Sequence, residues 1–246
     1  MAEDHDDPIY FRPPWAIYQK DGNIIYKWIE ADPPYKNCNR KAIANNSHTK
    51  IDIFTHPKLQ KIFEKGSLTS LTLFPSDQIL IGRLMAYRQG CIIHSLGIIL
   101  DGKGYLFVGH SSAGKSTMAG MMKKDSEILC DDRNIIRKID NCFQLFGTWS
   151  HGDVPDVSSN SAPLKAIFFL EQSKCNALDK INDKKHILRT LLACLIRPVG
   201  TLDWWDNSLD ILMSVSNEIP CWNLKFDKSG TVFNLIKRLK EAENGN

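Results

Sequence analysis

The chain has 246 residues, 43% of them hydrophobic and 24% charged, and a formal net charge of +3. A chain of this size can form one large domain, or one catalytic domain with a small appendage. The weak charge gives no indication of a nucleic-acid partner. The acidic start Met1–Pro8 is unlike a signal peptide, and the longest apolar run, Cys91–Leu100, is too short to span a membrane. We therefore predict neither nucleic acid nor a membrane as a partner.

Seven cysteines are scattered along the chain, at positions 38, 91, 130, 142, 175, 194 and 221. Their spacing contains no Cys-x-x-Cys pair, and an odd number cannot form a complete set of disulfides. Scattered cysteines without a signal peptide are typical of reduced proteins of the cytosol. We expect free thiols, no zinc site and a cytoplasmic location.

Turn residues divide the chain into three predicted β-hairpins. The turns are Asp21-Gly22 between Trp15–Gln19 and Asn23–Ile29, Asp101-Gly102 between Leu96–Leu100 and Tyr105–Val108, and Asp140-Asn141 between Asn134–Ile139 and Cys142–Phe146. Asp, Asn and Gly readily adopt the positive φ angles of a tight hairpin turn. We place a boundary near residue 80, with a small β-rich region at 1–80 and a second domain at 81–246.

Apolar periodicity predicts helices and buried strands in the second region. Helical stripes are found at Met118–Met122, Ile187–Leu195, Leu209–Met213 and Val232–Leu239, and short apolar runs predict strands at Glu127–Cys130 and Ala166–Leu170. This region is therefore expected to contain both strands and helices.

The segment that begins at Gly109 fits the phosphate-loop pattern G-x-x-x-x-G-K-[ST]. A strand, Tyr105–Val108, leads into it and a helix follows, as phosphate binding by backbone N–H groups requires. Lys115 is expected to reach the β/γ-phosphates and the Ser116 hydroxyl to bind Mg²⁺. The predicted nucleotide-binding residues are Gly109, His110, Ser111, Ser112, Ala113, Gly114, Lys115, Ser116 and Thr117.

Two adjacent carboxylates, Asp131 and Asp132, follow directly on the strand Glu127–Cys130. Like charges at a strand end repel each other and are stable there mainly when a cation or a proton donor is present. Their position after the phosphate loop therefore favours a metal-binding or catalytic pair over a solvated Asp-Asp turn.

With these motifs the sequence resembles the catalytic domain of the HPr kinase/phosphorylase family, from about Phe74 to Ile236. The likeness rests on the His94 segment, on a phosphate loop that is reached from a β-hairpin, and on the Asp131-Asp132 pair. The group also includes free-serine kinases, kinases of peptide natural-product clusters and, more distantly, phosphoenolpyruvate carboxykinase. The resemblance implies an α/β fold with a mixed β-sheet P-loop kinase core, Mg²⁺-ATP as cofactor, and transfer to a serine-type hydroxyl.

The resemblance also implies roles for individual residues. Asp131 matches the base that accepts the proton of the acceptor hydroxyl, and Asp132 lies on the metal side together with Ser116. His94 matches a histidine near the transferred phosphoryl group, where it supports the base. With Lys115 these residues form a minimal kinase site, although sequence leaves open which aspartate has which role.

The chain departs from the HPr enzymes in several respects. Ser112 stands where their loop usually has glycine, and Ser95 replaces the glycine after the histidine. The sequence shows neither the N-terminal domain of the HPr enzymes nor the glycine-rich segment associated with their phosphorolysis reaction. We therefore expect neither phosphorolysis nor HPr as a substrate. Phosphoenolpyruvate carboxykinase itself is excluded because it needs a chain roughly twice as long.

Several alternatives remain open at this point. The chain is a kinase for a small molecule, peptide or protein hydroxyl, or a nucleotide-binding regulator with little phosphotransfer. Residues 1–80 form a peptide-recognition module in a third hypothesis. The polar loop Gly147–Asn160, which includes Trp149, His151, Asp153 and Asp156, is a lid on the acceptor side or a plain connection. The acceptor, the choice of ATP, ADP or pyrophosphate as donor, and a possible homo-oligomer are not determined.

Overall fold

The computed structural model describes residues 7–29, 40–57, 77–199 and 204–237. They fall into two compact units that divide after Ile81, with Pro198 and Val199 belonging to the first unit. Within the described residues no helix combines the length and apolar character that crossing a membrane requires.

The first unit contains a five-stranded antiparallel sheet in which each strand pairs with the next along the chain. Its strands are β1 (Tyr10–Arg12), β2 (Trp15–Lys20), β3 (Asn23–Trp28), β4 (Arg40–Asn45) and β5 (Ile51–Phe54), and a π-helical turn follows at Asp77–Ile81. One face is held by aromatic packing, with the rings of Trp15 and Trp28 4.9 Å apart and edge to face. The buried Tyr26 hydroxyl lies 2.6 Å from His48 Nε2.

The second unit contains a mixed sheet, which the described residues form from eight strands. They are β6 (Gly90–Leu100), β7 (Lys103–Val108), β8 (Glu127–Cys130), β9 (Arg133–Ile139), β10 (Cys142–Gly147), β11 (Ser161–Gln172), β12 (Ala177–Lys180) and β13 (Cys221–Phe226). The order is β10-β9-β6-β7-β11-β13-β12, with β8 also paired to β6. β7, β11 and β13 are mutually parallel, and the other pairings are antiparallel.

The helices of the second unit cover both faces of the central strands. They are α1 (Gly82–Tyr87), α2 (Lys115–Met122), α3 (Lys184–Ala193), α4 (Trp205–Glu218) and α5, which is described over residues 232–237. Alternate residues of β7 point to opposite faces. Phe107 packs in one buried cluster with Met118 of α2, and Leu106 packs in another with Leu191 of α3. Such two-sided burial explains why these strands are apolar throughout.

The three predicted hairpins are confirmed, as β2–β3, β6–β7 and β9–β10. Both turn residues have positive φ in each: 49° and 72° at Asp21-Gly22, 51° and 73° at Asp101-Gly102, and 48° and 63° at Asp140-Asn141. The α/β class, the mixed sheet and the β-rich N-terminal region are also confirmed.

The predicted helices are present, with shifted ends. α3 ends at Ala193, and Leu195 forms an isolated β-bridge with Ile93, so the last residue of the apolar stripe packs outside the helix. Pairing with the sheet extends the predicted strand Ala166–Leu170 to the twelve residues of β11. The end of the predicted helix Val232–Leu239 lies outside the described residues. Six cysteines are free, and Cys38 also lies outside the described residues.

Candidate functional site

The phosphate loop connects the buried end of β7 at Val108 to the start of α2 at Lys115. Ser112 and Gly114 have φ angles of 69° and 99°, so the loop turns twice through the left-handed region. A Cβ at Gly114 would lie 2.6 Å from Phe226 Cζ. Glycine is therefore required at 114 by both conformation and space, whereas Ser112 makes its turn with a side chain present.

Lys115 is folded back over this loop. Its Nζ donates to the carbonyl oxygens of Gly109 at 3.0 Å and His110 at 3.2 Å, and the residue is only 8% exposed. Burial lowers the pKa of Lys115 from its usual 10.5, and the charges of Asp131 and Asp132 act in the opposite direction. An anion bound at the loop would compensate the cost of burying this ammonium group.

Asp131 is nearly inaccessible, at 2% exposure, and both of its carboxylate oxygens accept backbone hydrogen bonds. The Gly152 N–H donates to Oδ1 at 2.6 Å and the Val154 N–H donates to Oδ2 at 2.9 Å. Bonds from N–H groups to an ionised carboxylate are among the stronger ones in proteins. Asp131 thus fastens the loop that follows β10 to the end of β8.

Asp132 faces the cleft, and its side chain is 22% exposed. Its Oδ1 lies 2.9 Å from His94 Nδ1 and its Oδ2 lies 3.2 Å from Arg133 Nε. The register of β6 and β9 explains the contact, because His94 is paired with Arg133, the neighbour of Asp132. The predicted histidine and the second predicted aspartate are therefore direct partners.

The polar loop 147–160 brings a further carboxylate to the phosphate loop. The Ser116 hydroxyl donates to Asp153 Oδ2 at 3.1 Å, although the two residues are 37 positions apart. Lys123 of the turn after α2 forms an ion pair with Asp156 at 2.6 Å. The sequence predicts no role for Asp153, because no local pattern indicates a partner 37 positions away.

The phosphate loop, the two strand-end aspartates and this loop enclose a cleft of about 370 Å³. It is lined by His94, Ser111, Ser112, Gly114, Lys115, Ser116, Thr117, Asp131, Asp132, Gly152, Asp153 and Gln172. Most predicted site residues meet here. Gly109, His110 and Ala113 do not line the cleft. The backbone carbonyls of Gly109 and His110 accept hydrogen bonds from Lys115, and Ala113 is buried. Gln172, which no motif indicated, donates to the Ser112 carbonyl at 2.7 Å.

Hard oxygen donors dominate the acidic side of the cleft. The described residues contain no group of three or more His, Cys, Asp or Glu side chains arranged to hold a metal ion by themselves. Mg²⁺ at nucleotide sites commonly takes only one or two protein oxygens and completes its shell with water and phosphate oxygens. The Ser116–Asp153 pair fits that requirement.

Comparisons with known proteins give a family match. The family model described as SynChlorMet cassette protein ScmC matches residues 74–241, more than half of the 246-residue chain. No curated protein matches the chain. Among solved structures, the Hpr(Ser) kinase/phosphatase from Coxiella burnetii shares 11% identity at a TM-score of 0.37, over 63% of this chain and 97% of that chain.

Proposed function

The chain belongs to the SynChlorMet cassette protein ScmC family, and we propose that it is an ATP- and Mg²⁺-dependent kinase. Its acceptor is a serine-type hydroxyl of a small molecule, a peptide or a protein other than HPr. The observation that carries this proposal is one cleft that joins a phosphate loop to a histidine–aspartate pair. Phosphoryl transfer depends mainly on positioning and electrostatic stabilisation, which these groups supply.

The phosphate loop binds the donor in this proposal. Lys115, already buried and directed over the loop, stabilises the negative charge of the β- and γ-phosphates. Ser116 and Asp153 would hold Mg²⁺, which would neutralise charge on the phosphate oxygens when bound. The sequence-based assignment put Asp132 at the metal; the hydrogen bond from Ser116 favours Asp153 for that role.

The geometry also favours Asp132 over Asp131 as the general base. The sequence predicts Asp131 as the base, but Asp131 is only 2% exposed and its two oxygens accept from backbone N–H groups. Asp132 also has a contact at each oxygen, from His94 and Arg133, but both partners are side chains and Asp132 itself is 22% exposed to the cleft. We therefore give the base to Asp132, with His94 as its partner, and give Asp131 the role of loop anchor.

The reaction that follows from these roles is a single displacement. The acceptor hydroxyl oxygen forms a bond to the γ-phosphorus while the bond from that phosphorus to the β,γ-bridging oxygen breaks. The hydroxyl proton passes to Asp132, and ADP is the leaving group. His94 stabilises the base by hydrogen bonding to Asp132 Oδ1.

Donor binding is tested at Lys115. Lys115→Ala should weaken Mg²⁺-ATP binding about 10- to 100-fold, because a charged hydrogen bond in a desolvated site is lost. Lys124→Ala, which removes an exposed lysine just after the same helix, is the matched control and should bind like the parent. Calorimetric titration measures both. Equal affinities of the two variants would show that the loop is not a nucleotide site.

Labelled ATP incubated with the protein and its own cell extract then identifies the acceptor.

Metal binding is tested at Asp153. Asp153→Asn should lower the Mg²⁺-dependent part of ATP affinity about 10- to 100-fold, as loss of a metal-supporting oxygen usually does. Affinity measured in EDTA should not change. Asp156→Asn alters the same loop at its ion pair with Lys123, outside the lining of the cleft, and should keep the Mg²⁺ dependence of the parent. If both variants keep it, Asp153 has no part in metal binding.

A further inference from the structure

The sheet fixes an order of groups along the edge on which the phosphate loop lies. Ser95 of β6 is paired with Val108 at the end of β7, Val108 with Phe169 of β11, and Gln172 of β11 with Phe226 of β13. Along this edge the order is therefore the His94 segment, the phosphate loop, the end of β11 and the end of β13. Three strand spacings separate the first from the last, about 14 Å.

The reacting groups lie at one end of this order. His94 and Asp132 are next to the β6 side of the phosphate loop, and in the proposed kinase the γ-phosphate must lie with them. A nucleotide whose β- and γ-phosphates lie over Lys115 must then extend its other end away from β6. It leads toward β11 and β13, whose carboxyl ends meet at the same edge.

A second cavity, of about 350 Å³, is present there. It is lined by Gln172–Lys174 at the end of β11, by Phe226–Lys228 at the end of β13, and by Thr117 of α2. Thr117 and Gln172 line both cavities, so the two are adjacent. The volume is within the range of small-molecule pockets, about 300–1,000 Å³.

The polar groups of this cavity suit a ribose and an adjoining phosphate. Asp227 is held in place by Asn176 Nδ2 at 3.0 Å and by the Ser229 N–H at 2.9 Å, both to Oδ1. Hydrogen bonds, first from Ser229 and then from Asn176, lower the pKa of Asp227 and keep it ionised. Among the described residues no donor engages its Oδ2, which remains available to a hydroxyl. Lys174 and Lys228 add positive charge.

We infer that this second cavity is the nucleoside site: it takes the base and ribose of a nucleoside triphosphate, whose phosphates cross the loop toward Asp132. The Asp227 carboxylate accepts a ribose hydroxyl, and Lys174 and Lys228 border the first phosphate. This inference rests on the proposed kinase function and adds the direction in which the nucleotide lies. It also makes a nucleotide, rather than pyrophosphate or another simple polyphosphate, the preferred donor.

The test compares Mg²⁺-ATP with Mg²⁺-tripolyphosphate, which has the three phosphates and no nucleoside, by calorimetric titration. The parent should bind ATP more tightly. Ser173→Phe, which fills the cavity, should lower ATP affinity by at least about tenfold, to the level of tripolyphosphate, and leave tripolyphosphate affinity unchanged. Unchanged tripolyphosphate binding also shows that the variant is folded. Asp227→Asn should have a smaller effect of the same kind, whereas Lys115→Ala should weaken both ligands.

Four results would overturn the inference. The parent could bind both ligands equally, or Ser173→Phe could leave ATP affinity unchanged, and either outcome rejects the nucleoside site while the phosphate loop stands. Equal weakening of both ligands by Ser173→Phe, in a variant whose unfolding transition matches the parent, rejects it as well. A parent that binds neither ligand rejects the proposed function itself, and this inference with it.

Discussion

Asp132→Asn should lower the rate of phosphoryl transfer by about 10²–10⁴-fold and leave Mg²⁺-ATP affinity close to that of the parent. The substitution keeps the shape of the side chain and removes its ability to accept a proton, and a positioned general base contributes a factor of this size. Affinity is preserved because Ser116, Asp153 and Lys115 hold the donor in the proposed site. Single-turnover transfer of labelled phosphate to the identified acceptor gives the rate, and calorimetry gives the affinity.

Asp131→Asn and His94→Ala are the comparisons for this prediction. An asparagine amide at 131 would set an N–H₂ group against one of two backbone N–H donors, so Asp131→Asn should loosen the loop and reduce stability and binding together. His94→Ala should lower the rate less than Asp132→Asn, since the histidine supports the base without replacing it. If Asp131→Asn loses transfer with normal binding and stability while Asp132→Asn does not, Asp131 is the base. If no acceptor can be found and neither variant changes ATP hydrolysis, the protein is a regulator.

Gly114→Ala should reduce the free energy of unfolding by about 2–5 kcal/mol. About 1–2 kcal/mol comes from forcing a side chain into the left-handed region, since Gly114 has φ of 99°. A further 1–3 kcal/mol comes from overpacking, because the new Cβ would lie 2.6 Å from Phe226 Cζ, which is buried. Urea unfolding followed by circular dichroism measures the change.

Gly120→Ala is the matched control in the same helix. A Cβ at Gly120 meets nothing within 4 Å, and its φ is not in the left-handed region. Alanine favours a helix interior over glycine by about 0.5–1 kcal/mol, so this variant should be slightly more stable than the parent. A Gly114→Ala variant that unfolds at the same urea concentration as Gly120→Ala would contradict the account of the loop.

Much of the local structure could be predicted because adjacent residues determine it. The turn Asp101-Gly102 takes the positive φ angles that its residues allow, and so produces the β6–β7 hairpin that leads into the phosphate loop. The strand–loop–helix arrangement around Lys115 follows from the motif and its apolar flanks. The ends of helices and strands were less predictable, because partners elsewhere in the chain determine them. At α3, for example, Leu195 pairs with Ile93 and does not continue the helix.

The hairpins, the phosphate loop and the proximity of Asp131 and Asp132 in the chain follow from the amino-acid sequence alone. Tertiary structure sets what each aspartate contacts: backbone N–H groups for Asp131, and the side chains of His94 and Arg133 for Asp132. It alone brought Asp153 to Ser116 and joined the ends of β11 and β13 into a second cavity. The physical reason is that turns and helices form from preferences of neighbouring residues, whereas these contacts join residues that strand order and loop path bring together from distant positions.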